Sequence, residues 1–228
     1  MAVYTIGDLH LSLGCDKPMD IFKGWSNYVE KLFFNWKNTV SQEDTVVIVG
    51  DVSWGMSLSQ ALPDLEAINS LPGKKIIVKG NHDYWWATRK KMDEFATSNH
   101  LDTINFLFND AYEAEGKIIC GTRGWFYEES SSESDLVFAR ECGRLETSLS
   151  AMPECLEERV AFIHYPPVFG NVKVQPIINI MKKHGVCRCY YGHLHGAAAA
   201  TAFCGELDGI TYRLVSADKV LFKPVIVE

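Results

Sequence analysis

No apolar run in this sequence is long enough to cross a bilayer. The longest, TVVIVG and KKIIVKG, fall far short of the roughly 20 residues that a spanning helix needs. The opening stretch MAVYTIGDLH has no basic leader ahead of an apolar segment, so a cytoplasmic protein without a membrane partner is expected. Positive charge is also scarce: Lys and Arg number 22 against 29 Asp and Glu, a formal net charge of -7 with a pI near 5.5. That balance argues against a basic groove made to grip nucleic acid without regard to sequence. A nucleic-acid partner stays open only through bound divalent ions, two of which would add about four positive charges where substrate binds. Paired cysteines are missing as well. The seven cysteines are an odd, scattered set, which fits reduced thiols better than a disulfide framework. Cys187 and Cys189 form a C-x-C pair inside the strand-like VCRCYY. A structural zinc site needs a second pair, so buried strand cysteines are the expectation there. No internal repeat is evident, and nothing in the composition sets an oligomeric state.

What is present is enough for a sizeable core: 228 residues, 47% of them hydrophobic, expected to form a single domain over 1–228. Short β-branched or aromatic runs recur at 2–7, 45–50, 74–80, 117–121, 160–164 and 188–192. Segments of helical periodicity lie between them, at 20–40, 57–71, 132–149 and 173–185. This alternation predicts an α/β layered fold. The tail 206–228 has strand runs joined by short turns, the pattern of antiparallel strands that extend or add a sheet. EESSSESD (128–135) reads as an exposed loop.

The polar residues are distributed unevenly along this pattern. Predicted strands run at their carboxyl ends into Asp8 and His10, Asp51, Asn81 with His82 and Asp83, His164, and His193 with His195. Loops beyond the carboxyl ends of strands form the binding crevice of an open α/β sheet, so these residues are expected to converge. Five of the seven histidines lie at such ends; His100 and His184 read as surface residues near helix ends. Structural histidines tend to occur singly, whereas five aimed at one crevice with carboxylates point to metal. Imidazole, carboxylate and carboxamide donors without thiolate suit manganese, iron or zinc. Seven candidate ligands exceed the need of one tetrahedral ion, so two divalent ions bridged by one carboxylate are the economical reading.

The blocks GDLH (7–10), GD (50–51), GNHD (80–83), HYPP (164–167) and GHLH (192–195) resemble, in order, the motifs of the calcineurin-like metallophosphoesterase superfamily. The resemblance implies a four-layer α/β/β/α sandwich and hydrolysis of a small phosphomonoester or phosphodiester, a nucleotide being one candidate. It also implies that Asp8, His10 and His195 hold one metal ion, that Asn81, His164 and His193 hold the second, and that Asp51 bridges them. His82 matches the residue that faces substrate and protonates the leaving group. Where many members carry an aspartate that orients this histidine, the stretch GDVSWG has Trp54; Asp83 is the adjacent candidate for that role, or a purely structural residue. Arg123 is a candidate phosphate clamp, with a solvated loop arginine as the alternative. Trp86 and Trp125, together with Trp54, Trp85, Phe126 and Tyr127, adjoin motifs and are read either as an aromatic pocket wall or as core. Within the same resemblance the rival readings are a nuclease acting on DNA or RNA ends and a scaffold without chemistry.

Overall fold

The structure, a computed structural model, describes residues 1–126, 132–152 and 157–228. Two sheets lie face to face. The first has the strand order β13 (Val225–Ile226), β1 (Val3–Ile6), β2 (Thr45–Val49), β3 (Lys74–Val78) and β4 (Ile104–Leu107). All its pairings are parallel except β13 against β1. The second is ordered β11 (Gly205–Leu207), β12 (Ile210–Leu214), β10 (Arg188–Tyr191), β7 (Glu158–Ile163), β6 (Lys117–Thr122) and β5 (Tyr112–Ala114), parallel at its centre and antiparallel at both edges. β8 (Val168–Phe169) and β9 (Val172–Lys173) form a small separate hairpin.

Strand alternation builds the layers. In β2, Val46 and Ile48 point outward into a core shared with α1 (Tyr28–Thr39), α2 (Leu58–Asn69) and α3 (Arg89–Ser98), while Val47 and Val49 point inward. In β7, Ala161 and Ile163 join a core with α4 (Ser132–Ser150) and α5 (Gln175–Lys183), while Val160 and Phe162 point inward. The inward sets of both sheets meet in a third core that includes Val49, Val78, Ile119, Phe162 and Tyr190. Side chains two apart share a face, so each central strand feeds two cores and reads as a near-continuous apolar run. The result is the four-layer α/β/β/α sandwich.

Several expectations shift in detail. The helix predicted over 20–40 begins only at Tyr28; residues 18–27 form turns instead, with Pro18 and a left-handed Gly24 (φ 94°) in that stretch. The tail is not one antiparallel unit. β12 runs parallel to β10 and antiparallel to β11, and β13 crosses to the other sheet. Within 128–135, residues 128–131 lie outside the described residues, and 132–135 open α4. Cys189 is fully buried in β10, and the Cys187 thiol lies 2.7 Å from Glu158 Oε1.

Candidate metal centre

The carboxyl ends of β1, β2, β3, β7 and β10 deliver their polar residues to one place. Among the described residues two trios have donor atoms within 4.8 Å of one another: Asp8, His10 and His195, and Asp51, His164 and His193. Asp51 stands between them, its Oδ2 3.8 Å from His10 Nε2 and 3.5 Å from His164 Nε2. Asn81 completes the second trio, with Oδ1 2.7 Å from His164 Nε2 and 2.9 Å from His193 Nδ1. Within the first, His10 Nε2 and His195 Nε2 face each other at 3.2 Å, and Asp8 Oδ1 is 3.3 Å from His195 Nε2.

The backbone is bent to make this possible. Asp8, His10, Asp51 and His193 all have positive φ, at 58°, 46°, 49° and 72°. Such conformations are uncommon outside glycine and concentrate at functional sites. Two motif glycines have a separate, steric reason. A Cβ at Gly80 would collide with Asp51, and one at Gly192 with the Asp8 carboxylate. Main-chain amides then fix the acids: His82 N–H donates to Asp51 Oδ1 at 2.7 Å, and His193 N–H reaches both oxygens of Asp8 at 3.0 Å.

Outer partners fix the rings. His164 Nδ1 lies 3.0 Å from the Val49 carbonyl, to which it donates, leaving the Nε2 lone pair aimed at Asn81 and Asp51. His195 Nδ1 lies 3.2 Å from Asp218 Oδ1, and the Gly196 amide holds the other Asp218 oxygen at 2.8 Å. This carboxylate–histidine arrangement is how proteins orient metal-ligating imidazoles. Asp218 is absent from the sequence-based set, although its signal was of the kind used for the others: it follows the strand run ending at Leu214.

The electrostatics suit a cation. Asp8, His10, Asp51 and His164 are all buried. Burial and the neighbouring Asp8 push Asp51 up to about 8. Burial would also raise Asp8, but the imidazoles, His195 foremost, outweigh it and hold Asp8 low. Burial pushes His10 down to about 3 and His193 to about 4. Two carboxylates are thus pressed together among mostly neutral imidazoles, and His10 Nδ1 is buried without a partner. Oxygen and nitrogen donors in this arrangement fit divalent first-row metal ions, whose charge would relieve the carboxylate repulsion.

The remaining candidates divide. His82 sits beside the first trio, its ring centroid 5.7 Å from His10 and 4.5 Å from Trp54, with Nδ1 buried and unpartnered. Asp83 does not orient it. Its buried carboxylate accepts from the amides of Gly80 (2.7 Å), Asp51 (3.0 Å) and Val52 (2.9 Å) and from the Trp85 indole (3.0 Å), so it clamps together the two loops that carry Asp51 and Asn81. Arg123 is committed elsewhere as well, Nη2 lying 3.1 Å from Oε1 of the fully buried Glu141, which also pairs with Arg144; a buried carboxylate needs such partners. Trp86 packs on Phe106 and Phe108 as core. Trp125 precedes Phe126, which packs on Tyr165 and Phe169, and Tyr127 lies outside the described residues. The cavity that does open on the donors, of about 420 Å³, is lined by Met19, Phe22, Lys23, Trp25 and Trp54 with His10, His82, His195 and Gly196. Sequence reasoning missed Met19 and Phe22 and placed Trp25 on a helix face. His100 is exposed after α3, and His184 ends α5 with Nε2 2.9 Å from Glu146.

Comparison with known proteins fits this geometry. Three solved structures share the fold. A protein of unknown function from Aquifex aeolicus, AQ665, is 18% identical with a TM-score of 0.51, covering 99% of this chain and 95% of that one. TT1561 of Thermus thermophilus is 9% identical at a TM-score of 0.55, covering 99% and 97%. The purple acid phosphatase PPD1 of yellow lupin seeds is 12% identical at 0.50, covering 94% of this chain and 43% of the lupin protein. No curated protein sequence matches. The family model for calcineurin-like phosphoesterases matches residues 1–197, which include every donor of both trios, and the chain belongs to that family.

Proposed function

We propose that this protein hydrolyses a small phosphomonoester or phosphodiester at a pair of divalent ions, manganese, iron or zinc. The observation that carries the reading is the convergence of two donor trios on one carboxylate oxygen, Asp51 Oδ2. Two ions held there would supply an activated water for attack on phosphorus and neutralise the phosphoryl oxygens as charge builds. Asp8, His10 and His195 would hold the first ion, Asn81, His164 and His193 the second, and Asp51 both. Val49 and Asp218 keep the coordinating nitrogens of His164 and His195 directed inward. His82, at the cavity side of the first trio, has the task of handing a proton to the departing oxygen. In place of an orienting carboxylate it has Trp54, whose ring packs beside both His82 and His10, at 4.5 and 4.8 Å, to close a triangle of three rings. Packing rather than a hydrogen bond therefore fixes the imidazole. Among the described residues, Cys15, Cys142, Cys187, Cys189 and Cys204 stand outside any disulfide, which supports a reducing setting, and no described helix is long and apolar enough to cross a membrane.

The test is to strip the protein of metal, reload it with manganese, and screen phosphomonoesters, phosphodiesters, nucleotides and single-stranded DNA side by side. Metal-dependent hydrolysis of a small ester, abolished in Asp51→Asn, is expected. Failure on every ester at saturating metal would count against the reading, and salt-sensitive cleavage of DNA alone would replace the small substrate by a nucleic acid.

A further inference from the structure

The cavity on the first trio differs in character from the donors it opens on. Its lining joins Met19, Phe22, Trp25 and Trp54, with Lys23 and Gly196, to the imidazoles of His10, His82 and His195. Trp25 presents its edge to both His10 and His195, at 5.9 and 5.7 Å. Trp54 lies nearly parallel to His10, 4.8 Å away at 23°. Its ring is also capped by Lys17, whose Nζ sits 4.8 Å from the centroid, so the tryptophan is held from two sides and forms a rigid wall. Phe22 leaves 54% of its surface to solvent. An apolar cavity of about 420 Å³ with a few polar groups at one end is the usual form of a small-molecule site.

Resting on the phosphoesterase reading above, we infer that this cavity is the leaving-group pocket and that its occupant is a flat aromatic ring carried on the ester's departing oxygen. The direction follows from His82. A group that protonates the departing oxygen must reach it, and His82 lines the cavity, so the organic group on that oxygen extends between Phe22 and Trp54. The chemistry follows from the walls. A polyhydroxylated group would lose hydrogen bonds to water and regain few from Met19, Phe22 and Trp25, Lys23 being the one lysine in the lining. A ring finds edges and faces to pack on, and such aromatic pairs are favourable beyond the area they bury.

The experiment compares benzyl phosphate with ethyl phosphate, both of which release an alkoxide, on manganese-loaded protein, with adenosine 5′-phosphate as a third substrate whose ring is a ribose away. Wild type should favour benzyl over ethyl phosphate in kcat/KM by roughly tenfold or more, and Phe22→Ala should narrow that ratio about threefold to tenfold. A preference for adenosine 5′-phosphate that Phe22→Ala also narrows would identify the ring as a base. A wild-type ratio near one, or a ratio that Phe22→Ala leaves unchanged, overturns the assignment. Calorimetry with benzylphosphonate and methylphosphonate, which are not hydrolysed, reads the pocket without turnover. If no ester is cleaved, tighter binding of benzylphosphonate that Phe22→Ala weakens would sustain the pocket while the hydrolase reading fails; equal binding of the two phosphonates would remove the pocket.

Discussion

The two donor trios are built from the same residue types but are supported differently. His164 is wholly buried and hydrogen-bonded to a main-chain carbonyl, and with His193 it closes on Asn81 from two sides. His195 is partly exposed, leans on the side chain of Asp218, and shares its surroundings with Trp25, Trp54 and an open cavity. One side is set by the backbone and the interior of the sandwich. The other has Asp8 fixed by a main-chain amide but its outer imidazole set by side chains from loops, which is where specificity is free to vary while the donors stay in place.

Asp51→Asn is the change expected to cost most, because it is the one residue both sides share. Losing a bridging carboxylate should lower kcat/KM by roughly 10³-fold or more and reduce the metal content, as elemental analysis and steady-state kinetics would record. A variant that kept both ions and its turnover would dissolve the symmetry of the comparison. His82→Ala tests the open side alone. Turnover of an alkyl or sugar phosphoester should fall roughly 10²–10⁴-fold, and that of nitrophenyl phosphate far less, because its leaving group needs little protonation. Equal losses on both esters would mean that His82 acts through charge on the phosphoryl oxygens.

Asp218→Asn should sharpen the contrast further. Carboxylates that hold a ligating imidazole from behind, as Asp218 holds His195, typically contribute 10–100-fold in metal affinity, so a manganese titration should show one weakened site and one unchanged, with partial recovery in Asp218→Glu. Weakening of both sites together would show that the trios are not separately supported. The smallest expected effect on chemistry is at Trp86. Removing its packing on Phe106 and Phe108 should cost about 2 kcal/mol of stability, read as a lower Tm, while KM for aromatic and aliphatic esters moves in parallel. A selective rise in KM for aromatic esters would return Trp86 to the substrate pocket.

The difference between the two sides also explains what could be read from the sequence. Donors at strand ends were legible because a parallel strand is a recognisable apolar run, and its carboxyl end has a defined place in the fold. Asp8, His10, Asp51, Asn81, His164, His193 and His195 all follow from that rule. The open side depends on loops, whose paths have no periodicity. Residues 20–27 carry apolar side chains at helical spacing, yet they turn irregularly before Tyr28, and this irregular path brings Met19, Phe22 and Trp25 to the cavity. The choice between the two readings of Asp83 was out of reach for a related reason: its neighbour in sequence is His82, but the backbone turns its carboxylate toward the amides of the 51–53 loop. α3 escaped notice because only Met92 and Ala96 of its ten residues are buried, too sparse an apolar stripe to stand out. The tail's strands were visible, but their partners were not, since the choice of sheet depends on contacts remote in sequence.

The central claim is that two ions share Asp51. Electron paramagnetic resonance of manganese-saturated protein, with the manganese counted on the same sample, tests it most directly. The account predicts two manganese ions per chain and the signal of an exchange-coupled pair, which Asp51→Asn replaces with that of isolated ions. A single uncoupled ion per chain in a fully active preparation would contradict it.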